Sequence, residues 1–370
     1  MVRIGIDARL TYYSQAGIAQ YTQHLIRELG ALDASHRYLL LQSRKDRRDL
    51  AAAPNQQRVA CWTPSHHRLE RLALLLETLP LRLDLLHSPD FIPPYKGPYR
   101  SVITVHDLAF LRYPDFVTLD SRRYYNRQIE AATRRAEHII AVSRATQADL
   151  VDLLAVPADK ITVIHEAAHD AYRPLADSAV RDHLARFDLA PGYVLFLGTF
   201  EPRKNLDGLL QAYAALLSEV PDAPPLVMAG RRGWLDDPLF ALARKLGLER
   251  HVRWLEGLEQ EDLPPLYAGA AVLCMPSHYE GFGLPALEAM ACGTPVVVAN
   301  RASLPEVVGD DGLLVDPDSP DDIAAGLRSV LTDAALAADL RRRGLARATQ
   351  FSWRETARQT LSVYEQVLAR

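Results

Sequence analysis

The chain has 370 residues, of which 48% are hydrophobic and 24% charged, and its formal net charge is −4 at pH 7. This composition excludes a disordered chain, a collagen-like repeat and a disulfide-dense secreted module. The charge is unevenly spread, net positive in residues 1–174 and net negative in residues 175–370, but this asymmetry is too weak to indicate a nucleic-acid partner.

The N-terminal segment carries no signal-peptide pattern, and no apolar run approaches the ~18 residues of a membrane-spanning helix. Three cysteines, an odd number, are most simply interpreted as buried free thiols in a reducing compartment. We therefore expect a cytoplasmic protein, either free or held peripherally at the membrane.

Short apolar runs alternate with helical patterns along the whole chain, which is typical of parallel sheets buried on both faces. Two series of such runs predict two doubly wound α/β domains, residues 1–174 and 175–352, followed by a helix over 353–370. The predicted strands are Val2–Ile6, Arg37–Leu41, Leu83–His87, Ser101–Val105, His138–Val142, Ile161–Ile164, Tyr193–Leu197, Pro225–Ala229, Val252–Leu255, Ala271–Met275, Pro295–Ala299 and Gly312–Val315.

The loop after the first strand, Tyr12–Ala19, leads into a helix that begins near Ile18. Gly17 in this loop would let the backbone approach a phosphate or an acceptor. The loop is not a G-x-G-x-x-G, and the sequence has no G-x-x-x-x-G-K-[ST], no zinc-type Cys/His spacing and no G-x-S-x-G. A nicotinamide-dependent oxidoreductase and a P-loop NTPase are therefore disfavoured.

Two segments of the first half leave two interpretations open. The amphipathic stretch Leu69–Leu86 and an arginine-rich stretch are either solvated helix faces or a membrane-facing surface for a lipid-linked acceptor. The arginine-rich stretch contains Arg122, Arg123, Tyr124, Tyr125, Arg127, Arg134 and Arg135.

His106 and Asp107 directly follow the predicted strand Ser101–Val105. Ligands of open α/β sheets bind at the carboxyl ends of the strands. His106 is therefore either a polar contact near a reacting centre or a core histidine bonded to the backbone. The core interpretation has more weight for His87 and His165.

The segment Gly198–Asn205 lies between a strand and a helix of the second half. Arg203 and Lys204 in it can neutralise a diphosphate leaving group, the first as a planar fork and the second as a point charge. The alternative is a solvated basic pair at a helix start. Cations at that end oppose the helix dipole, which favours a bound anion there.

The strongest local signal is Ser277–Glu288, which follows a strand and opens a helix. Glycines let the backbone approach a ligand closely, and a proline suits the first helical turn. The N–H groups near Gly283, Leu284 and Ala286 are expected to form an anion site with the helix dipole. Glu280 and Glu288 would then accept hydrogen bonds from hydroxyl groups on either side of a diphosphate, or else only cap and solvate the helix start.

The pair Glu280 and Glu288 resembles the E-x7-E motif of the retaining glycosyltransferases of family 4. The resemblance covers nearly the whole chain and implies the GT-B architecture, in which two Rossmann-like parallel-sheet domains face each other across a cleft. It also implies that the C-terminal helix crosses back to the first domain. The other matching segments are Gly17, His106, Ser143–Leu150, Gly198–Lys204, Gly293–Val297 and Pro305-Glu306.

The resemblance implies a role for each matching residue. Glu288 would bind the ribose, Glu280 the donor sugar, and the turn ending at Leu258 the base. The implied catalytic residues are His106, Glu280, Arg203 and Lys204. The implied donor-binding residues are Glu288, Phe282, Gly283, Leu284, Gly198, Thr199, Leu258 and Gly17, and those for the acceptor are Tyr13 and Asp107. No metal is expected, because basic residues and the helix dipole act on the leaving group.

The segment Glu201–Asn205 reads E-P-R-K-N and resembles a subgroup rich in mannosyltransferases that use GDP-mannose. Two departures from the family pattern are Thr199, where many members have arginine, and Glu166–Asp170, where an N-G-V-D is common. The expected reaction is hexose transfer, with mannose favoured, from a nucleotide diphosphate sugar to a saccharide or lipid-linked saccharide. The alternatives are a UDP-sugar donor, a nucleotide-sugar epimerase and a catalytically dead binding protein.

Overall fold

The computed structural model describes residues 1–14, 17–67, 69–114, 119–232 and 237–370. The side chains of 119–124, 126, 127 and 237 lie outside this description, as do Gln15 and Ala16 of the predicted glycine loop. The chain divides into two compact units. Unit 1 comprises Met1–Glu166 and Ser352–Arg370, and unit 2 comprises Ala167–Phe351.

Unit 1 is built on a seven-stranded sheet in which every pairing is parallel, in the order β3-β2-β1-β4-β5-β6-β7. The strands are β1 Arg3–Asp7, β2 Arg37–Ser43, β3 Gln56–Cys61, β4 Leu85–Ser88, β5 Arg100–Val105, β6 His138–Ala141 and β7 Ile161–Val163. The helices are α1 Leu10–Tyr13, α2 Gly17–Leu32, α3 Glu70–Thr78, α4 Ala109–Arg112, α5 Leu119–Arg135 and α6 Arg144–Leu154. The strand order reverses between β1 and β4, which is the topological switch point of this sheet.

Unit 2 repeats the design with six parallel strands in the order β10-β9-β8-β11-β12-β13. The strands are β8 Tyr193–Leu197, β9 Leu226–Ala229, β10 Val252–Leu255, β11 Ala270–Met275, β12 Val296–Ala299 and β13 Leu313–Val315. The helices are α7 Asp177–Leu184, α8 Leu206–Glu219, α9 Asp237–Lys245, α10 Leu263–Gly269, α11 Leu284–Ala291, α12 Leu304–Val308, α13 Pro320–Thr332 and α14 Ala334–Ala348. Its switch point lies between β8 and β11.

The two predicted parallel sheets are confirmed, and the central strands are buried over their whole length, as their continuous apolar sequences require. Strand β3 was not predicted, because its sequence QQRVAC has polar and half-exposed positions that are typical of a sheet edge. Cys61, Cys274 and Cys292 are buried free thiols, as predicted. Within the described part of the chain, no helix is long and apolar enough to cross a membrane.

The last helix, α15 (Trp353–Ala369), belongs to unit 1. Trp353 stacks on His24 of α2 at a ring distance of 4.8 Å, and the Thr356 hydroxyl donates to the carbonyl of His165 at 2.7 Å. Deeper in the core, the Tyr364 hydroxyl lies 2.6 Å from Nδ1 of His87. The helix thus contributes both apolar surface and hydrogen bonds to the core of unit 1.

His87 is fully buried on β4, and its Nε2 lies 2.8 Å from the Thr104 hydroxyl on β5. Burial, and then the neighbouring His106, lower the pKa of His87 to about 3. His87 is therefore a neutral core histidine whose two nitrogens are both hydrogen-bonded. This is the interpretation that the sequence favoured for it.

Replacing Tyr364 with phenylalanine should lower the free energy of unfolding by about 1–3 kcal/mol, because it leaves a buried nitrogen of His87 without its partner. Urea denaturation followed by circular dichroism measures this loss. Tyr12→Phe is the matched control, since Tyr12 is 41% exposed and water can solvate the position of its hydroxyl. Equal losses in the two variants would contradict the role given to His87.

Candidate functional site

The switch point of unit 2 brings together two loops that the sequence analysis selected. The loop after β8 runs through Gly198 into a short 3-10 turn over Pro202–Lys204, and the loop after β11 runs through Glu280 into α11. The backbone N–H of His278 donates to the carbonyl of Arg203 at 2.8 Å, which joins the two loops directly. Residues 75 positions apart in sequence therefore share one site.

Glu280 lies at the centre of this site and is 5% exposed. Both of its carboxylate oxygens accept from Nζ of Lys204, at 2.6 and 2.9 Å, and Oε2 also accepts from Arg203 at 3.0 Å. Burial would raise the pKa of Glu280, but the two cations outweigh it and hold the pKa below its ordinary value. The carboxylate is ionised, and its hydrogen bonds are made with side chains of this protein.

The two cations have different surroundings. Lys204 is buried, and burial together with the Arg203 guanidinium lowers its pKa, an effect that Glu280 offsets only in part. Arg203 is more exposed and also lies 2.5 Å from Oε1 of Glu201. In this structure both predicted diphosphate-binding cations are thus paired with carboxylates, so a bound diphosphate would compete with these pairs.

Two residues to which the sequence analysis assigned no role fix the positions of these loops. The buried Ser303 hydroxyl lies 2.8 Å from the carbonyl oxygen of Glu280 and 2.7 Å from that of Phe282. Asn205, with a φ of 55°, donates its amide to the carbonyls of Pro276 at 3.1 Å and Pro317 at 2.6 Å. Asparagine tolerates this left-handed conformation better than most residues do, and this preference is the sequence signal that could have marked Asn205.

Gly283 caps the start of α11 with a φ of 106°, and a β-carbon there would lie 2.7 Å from a methyl group of Leu304. Glycine is therefore required by both backbone conformation and space. No side chain caps the helix, and Leu284 is its first residue. The N–H of Ala286, expected to be free, donates instead to the carbonyl of Gly283 at 3.0 Å.

Glu288 lies one turn into α11 and accepts from the Tyr267 hydroxyl at 2.8 Å. The Tyr172 hydroxyl also hydrogen-bonds to Glu288 and accepts from the side-chain amide of Gln260 at 2.8 Å. Burial, and then Glu288, raise the pKa of Tyr172 well above its ordinary range. Neither tyrosine was predicted from the sequence as a partner of Glu288.

A cavity of about 620 Å³ adjoins Tyr172. Gly257, with a φ of 69°, forms the turn before it, and Leu258 directly precedes the lining residue Glu259. The predicted base site thus lies next in sequence to the wall of this cavity. The residues that line it are His169, Ala171, Tyr172, Glu259, Gln260, Glu261 and Pro264.

The remaining predicted residues lie in unit 1. Nδ1 of His106 is 2.8 Å from Oε1 of Glu166, and its Nε2 is 2.8 Å from the carbonyl oxygen of Pro89. Because both neighbours are acceptors, both nitrogens carry protons when Glu166 is ionised. Burial lowers the pKa of His106, but Glu166 outweighs it and the pKa lies above its ordinary value. Glu166 is one of the positions that departs from the family pattern.

The other predicted positions of unit 1 lie near the starts of helices. The Asp107 carboxylate accepts from the N–H of Ala109, the first residue of α4, at 3.0 Å. Gly17 begins α2, and Tyr13 ends α1 with its ring edge-on to Tyr12 at 4.9 Å. Within the described ranges, no three His, Cys, Asp or Glu side chains come together as metal ligands.

Each unit corresponds to a match with one family model. The model described as "Glycosyl transferases group 1" matches residues 185–347, and the model described as "Glycosyltransferase Family 4" matches residues 16–170. A solved structure of Anabaena HepE in complex with UDP-glucose superposes with a TM-score of 0.78 at 19% sequence identity, covering 99% of this chain and 100% of that one. That likeness shows the fold.

Curated relatives at higher identity include an O-antigen chain mannosyltransferase B of Escherichia coli. It is 41% identical over 282 residues, which cover 76% of this chain and 74% of the relative. A serotype-specific mannosyltransferase of Escherichia coli is 31% identical over 296 residues, which cover 76% of this chain. That second match covers only 36% of the relative.

Replacing Lys204 with methionine should lower the free energy of unfolding by about 3 kcal/mol, because Glu280 keeps its charge in a buried site and loses its nearest partner. The double variant Lys204→Met/Glu280→Gln should recover most of this loss, since both charges are then removed. Urea denaturation measures both. Lys245→Met, at an exposed position of the same unit, serves as the control and should change the value by less than about 0.5 kcal/mol.

Proposed function

The chain belongs to the glycosyltransferases of family 4, and from this we propose that it transfers mannose from GDP-mannose to a saccharide or lipid-linked saccharide. The observation that carries the proposal is the buried cluster of Glu280, Lys204 and Arg203 at the switch point of unit 2. The names of the curated relatives support mannose as the sugar, and the E-P-R-K-N segment favours the same subgroup.

The cluster suits the departure of a nucleoside diphosphate. Negative charge develops on the leaving oxygen as the bond to the anomeric carbon breaks, and preorganised positive groups stabilise it. Lys204 and Arg203 supply two cations, and the uncapped start of α11 supplies backbone N–H groups and the positive end of a dipole. These groups would do the work of a divalent metal, and we propose that the reaction needs none.

Glu280 partly balances the charge of the two cations within the cluster. A buried pair of unpartnered cations would be costly, and the carboxylate removes that cost by holding Lys204 and Arg203 in place. When a diphosphate binds, the cations turn to it, and Glu280 becomes available to a sugar hydroxyl. Glu288, which accepts from the Tyr267 and Tyr172 hydroxyls, would accept from the ribose.

We propose retention of the anomeric configuration. The bond from the anomeric carbon to the diphosphate breaks, and the acceptor oxygen forms its bond on the same face through an oxocarbenium-like state. The acceptor proton passes to the departing phosphate oxygen. In this proposal His106 is a positioning cation rather than a base, because both of its nitrogens already donate, to Glu166 and to Pro89.

A peripheral contact with the inner membrane surface is a second part of the proposal. It is supported by an exposed apolar ridge formed by α3 and residues that flank it, near the loop 44–48, which carries four basic residues. The Arg44 guanidinium lies 3.9 Å from the Trp62 ring centroid, and the backbone N–H of Trp62 donates to the carboxylate of Glu77 on α3 at 2.7 Å. The exposed ridge comprises Trp62, Leu69, Leu72, Leu76 and Leu79.

The arginine-rich stretch offers less support for this contact. The side chains of Arg122, Arg123, Tyr124 and Arg127 lie outside the described residues. Arg134 pairs with Glu130 at 3.6 Å on the exposed side of α5, and Arg135 lies over the Tyr95 ring. These contacts are typical of a solvated helix face.

Purified protein should transfer mannose from GDP-mannose to an octyl mannoside in the presence of EDTA and give an α-linked product, as judged by NMR. Glu280→Gln should lower kcat by about two orders of magnitude, because the cations lose the carboxylate that orients them. Glu219→Gln, the same change in an exposed ion pair with Arg328, is the control and should leave kcat unchanged.

Each contrary result removes a different part of the proposal. Transfer from UDP-sugars alone would overturn the choice of GDP-mannose and leave a transferase. Conversion of the donor to an epimer without acceptor would indicate an epimerase. Binding of GDP-mannose without transfer from any donor, and with the same affinity in Glu280→Gln, would indicate a binding protein. Loss of transfer in EDTA would overturn metal independence.

The protein should float with vesicles of phosphatidylcholine and phosphatidylglycerol, and less so in high salt. Leu72→Ser/Leu76→Ser should weaken this binding by at least about tenfold, since it removes apolar surface from the ridge. Leu153→Ser/Leu314→Ser replaces two leucines exposed elsewhere and should have no effect. Equal binding of the two double variants would contradict the proposed contact.

A further inference from the structure

Tyr172 joins three segments of unit 2 through its hydroxyl group. It lies in the irregular segment between Ala167, where unit 2 begins, and α7, yet it is only 5% exposed. Its hydroxyl accepts from the side-chain amide of Gln260 at 2.8 Å and hydrogen-bonds to Glu288 on α11. Gln260 begins the 3-10 turn that follows β10, shortly after Leu258 at the predicted base site. The hydroxyl of Tyr172 therefore links that turn to the carboxylate that is predicted to bind the ribose.

The protein itself holds Tyr172 in place. The backbone N–H of Tyr172 donates to the carbonyl of His169 at 2.9 Å, and the N–H of Ala171 donates to Nδ1 of His169 at 3.0 Å. The Tyr172 ring stands edge-on to the buried Tyr267 ring, with the two ring centroids 5.7 Å apart. A backbone turn and a ring contact thus position this hydroxyl without any help from a ligand.

The hydrogen bonds of the two tyrosines with Glu288 have a defined direction. A tyrosine hydroxyl has one proton to donate. Because Tyr172 accepts from Gln260, its own proton is directed to Glu288, and the Tyr267 hydroxyl donates to Oε2 of Glu288 at 2.8 Å. Burial, and then Glu288, raise the pKa of both tyrosines, so both hydroxyls keep their protons at neutral pH. Glu288 therefore accepts from two donors whose positions are fixed by the fold.

Two donors from different segments fix the plane of the Glu288 carboxylate before a nucleotide binds. A carboxylate can accept about four hydrogen bonds, and two tyrosine donors do not exhaust this capacity. A ribose offers two neighbouring hydroxyl groups, which are two further donors. Holding a binding group in its final orientation lowers the entropy cost of binding. The tyrosines thus favour ligands that present such a pair of hydroxyl groups to Glu288.

We propose that Tyr172 is a positioning residue that, together with Tyr267, orients Glu288 toward the ribose and makes the site prefer nucleotides that carry both ribose hydroxyls. The inference rests on the proposed function, in which Glu288 binds the ribose of the donor, and it adds the residues that make this binding selective. Tyr172 acts through Glu288 and not on the nucleotide. Loss of its hydroxyl therefore affects only those ligands that bind to Glu288.

Tyr172→Phe tests the inference by titration calorimetry with two nucleotides. GDP carries both ribose hydroxyls, and its dideoxy analogue carries neither. The Kd of GDP should rise about fivefold in this variant, the effect of one hydrogen bond, whereas the Kd of the dideoxy analogue should change by less than about twofold. The retained affinity for the analogue also shows that the variant is folded. In the transfer assay, the KM for GDP-mannose should rise about fivefold while kcat stays unchanged.

Tyr213→Phe is the matched control, because Tyr213 is a buried tyrosine of the same unit whose hydroxyl donates to the carbonyl of Pro224 at 2.8 Å. This variant should leave the Kd of both nucleotides unchanged. Tyr172→Phe/Glu288→Gln should bind GDP no more weakly than Glu288→Gln alone, since Tyr172 acts through Glu288. Equal losses for GDP and its dideoxy analogue in Tyr172→Phe, or no loss for either, would overturn the inference.

Failure of the proposed function can be told apart from failure of this inference. If GDP binds but no mannose is transferred, the proposed reaction fails, and the calorimetry still tests Tyr172. If GDP does not bind, the choice of GDP-mannose fails, and the comparison is made with UDP and its dideoxy analogue, because both nucleotides contain ribose. A smaller preference for UDP in Tyr172→Phe would then support the inference. A wild-type protein that binds neither nucleotide, or that does not distinguish them from their dideoxy analogues, would overturn it.

Discussion

A buried carboxylate needs positive partners, and Glu280 obtains them only if two distant loops meet. Lys204 and Arg203 follow β8, whereas Glu280 follows β11, and the parallel sheet brings both loops to one edge. Ser303 and Asn205 then hold the loops by their carbonyl groups. The arrangement of the two loops at the switch point of unit 2 follows from the need to pair the buried negative charge of Glu280.

Unit 1 satisfies the same constraint with a different arrangement. At its switch point the buried cation is Arg9, and it is enclosed by carboxylates, whereas in unit 2 a buried carboxylate is enclosed by cations. The two edges therefore have opposite preferences. In the proposed function, the edge in unit 2 is the one that binds a diphosphate.

The sequence predicted the two parallel sheets and the E-x7-E loop well, because both are local patterns of apolar runs, glycines and a proline. It did not predict β3, whose edge position tolerates polar residues. It also predicted a free N–H at Ala286, whereas this N–H donates to the carbonyl of Gly283 within the first turn of the helix. The hydrogen-bond partners of the site residues could not be predicted from the sequence. Glu166 lies 60 positions from His106, and Tyr267 lies 21 from Glu288. Nothing local in the sequence marks such pairs, since folding alone brings them together.

The position of α15 has a consequence for how the protein is made. Trp353 and Tyr364 complete the core of unit 1 together with His24 and His87, yet they are synthesised after the whole of unit 2. Unit 2 can fold as soon as it leaves the ribosome, but unit 1 must wait with an open groove along α2. Translation therefore reverses the usual order, and the segment made first is the last to finish folding.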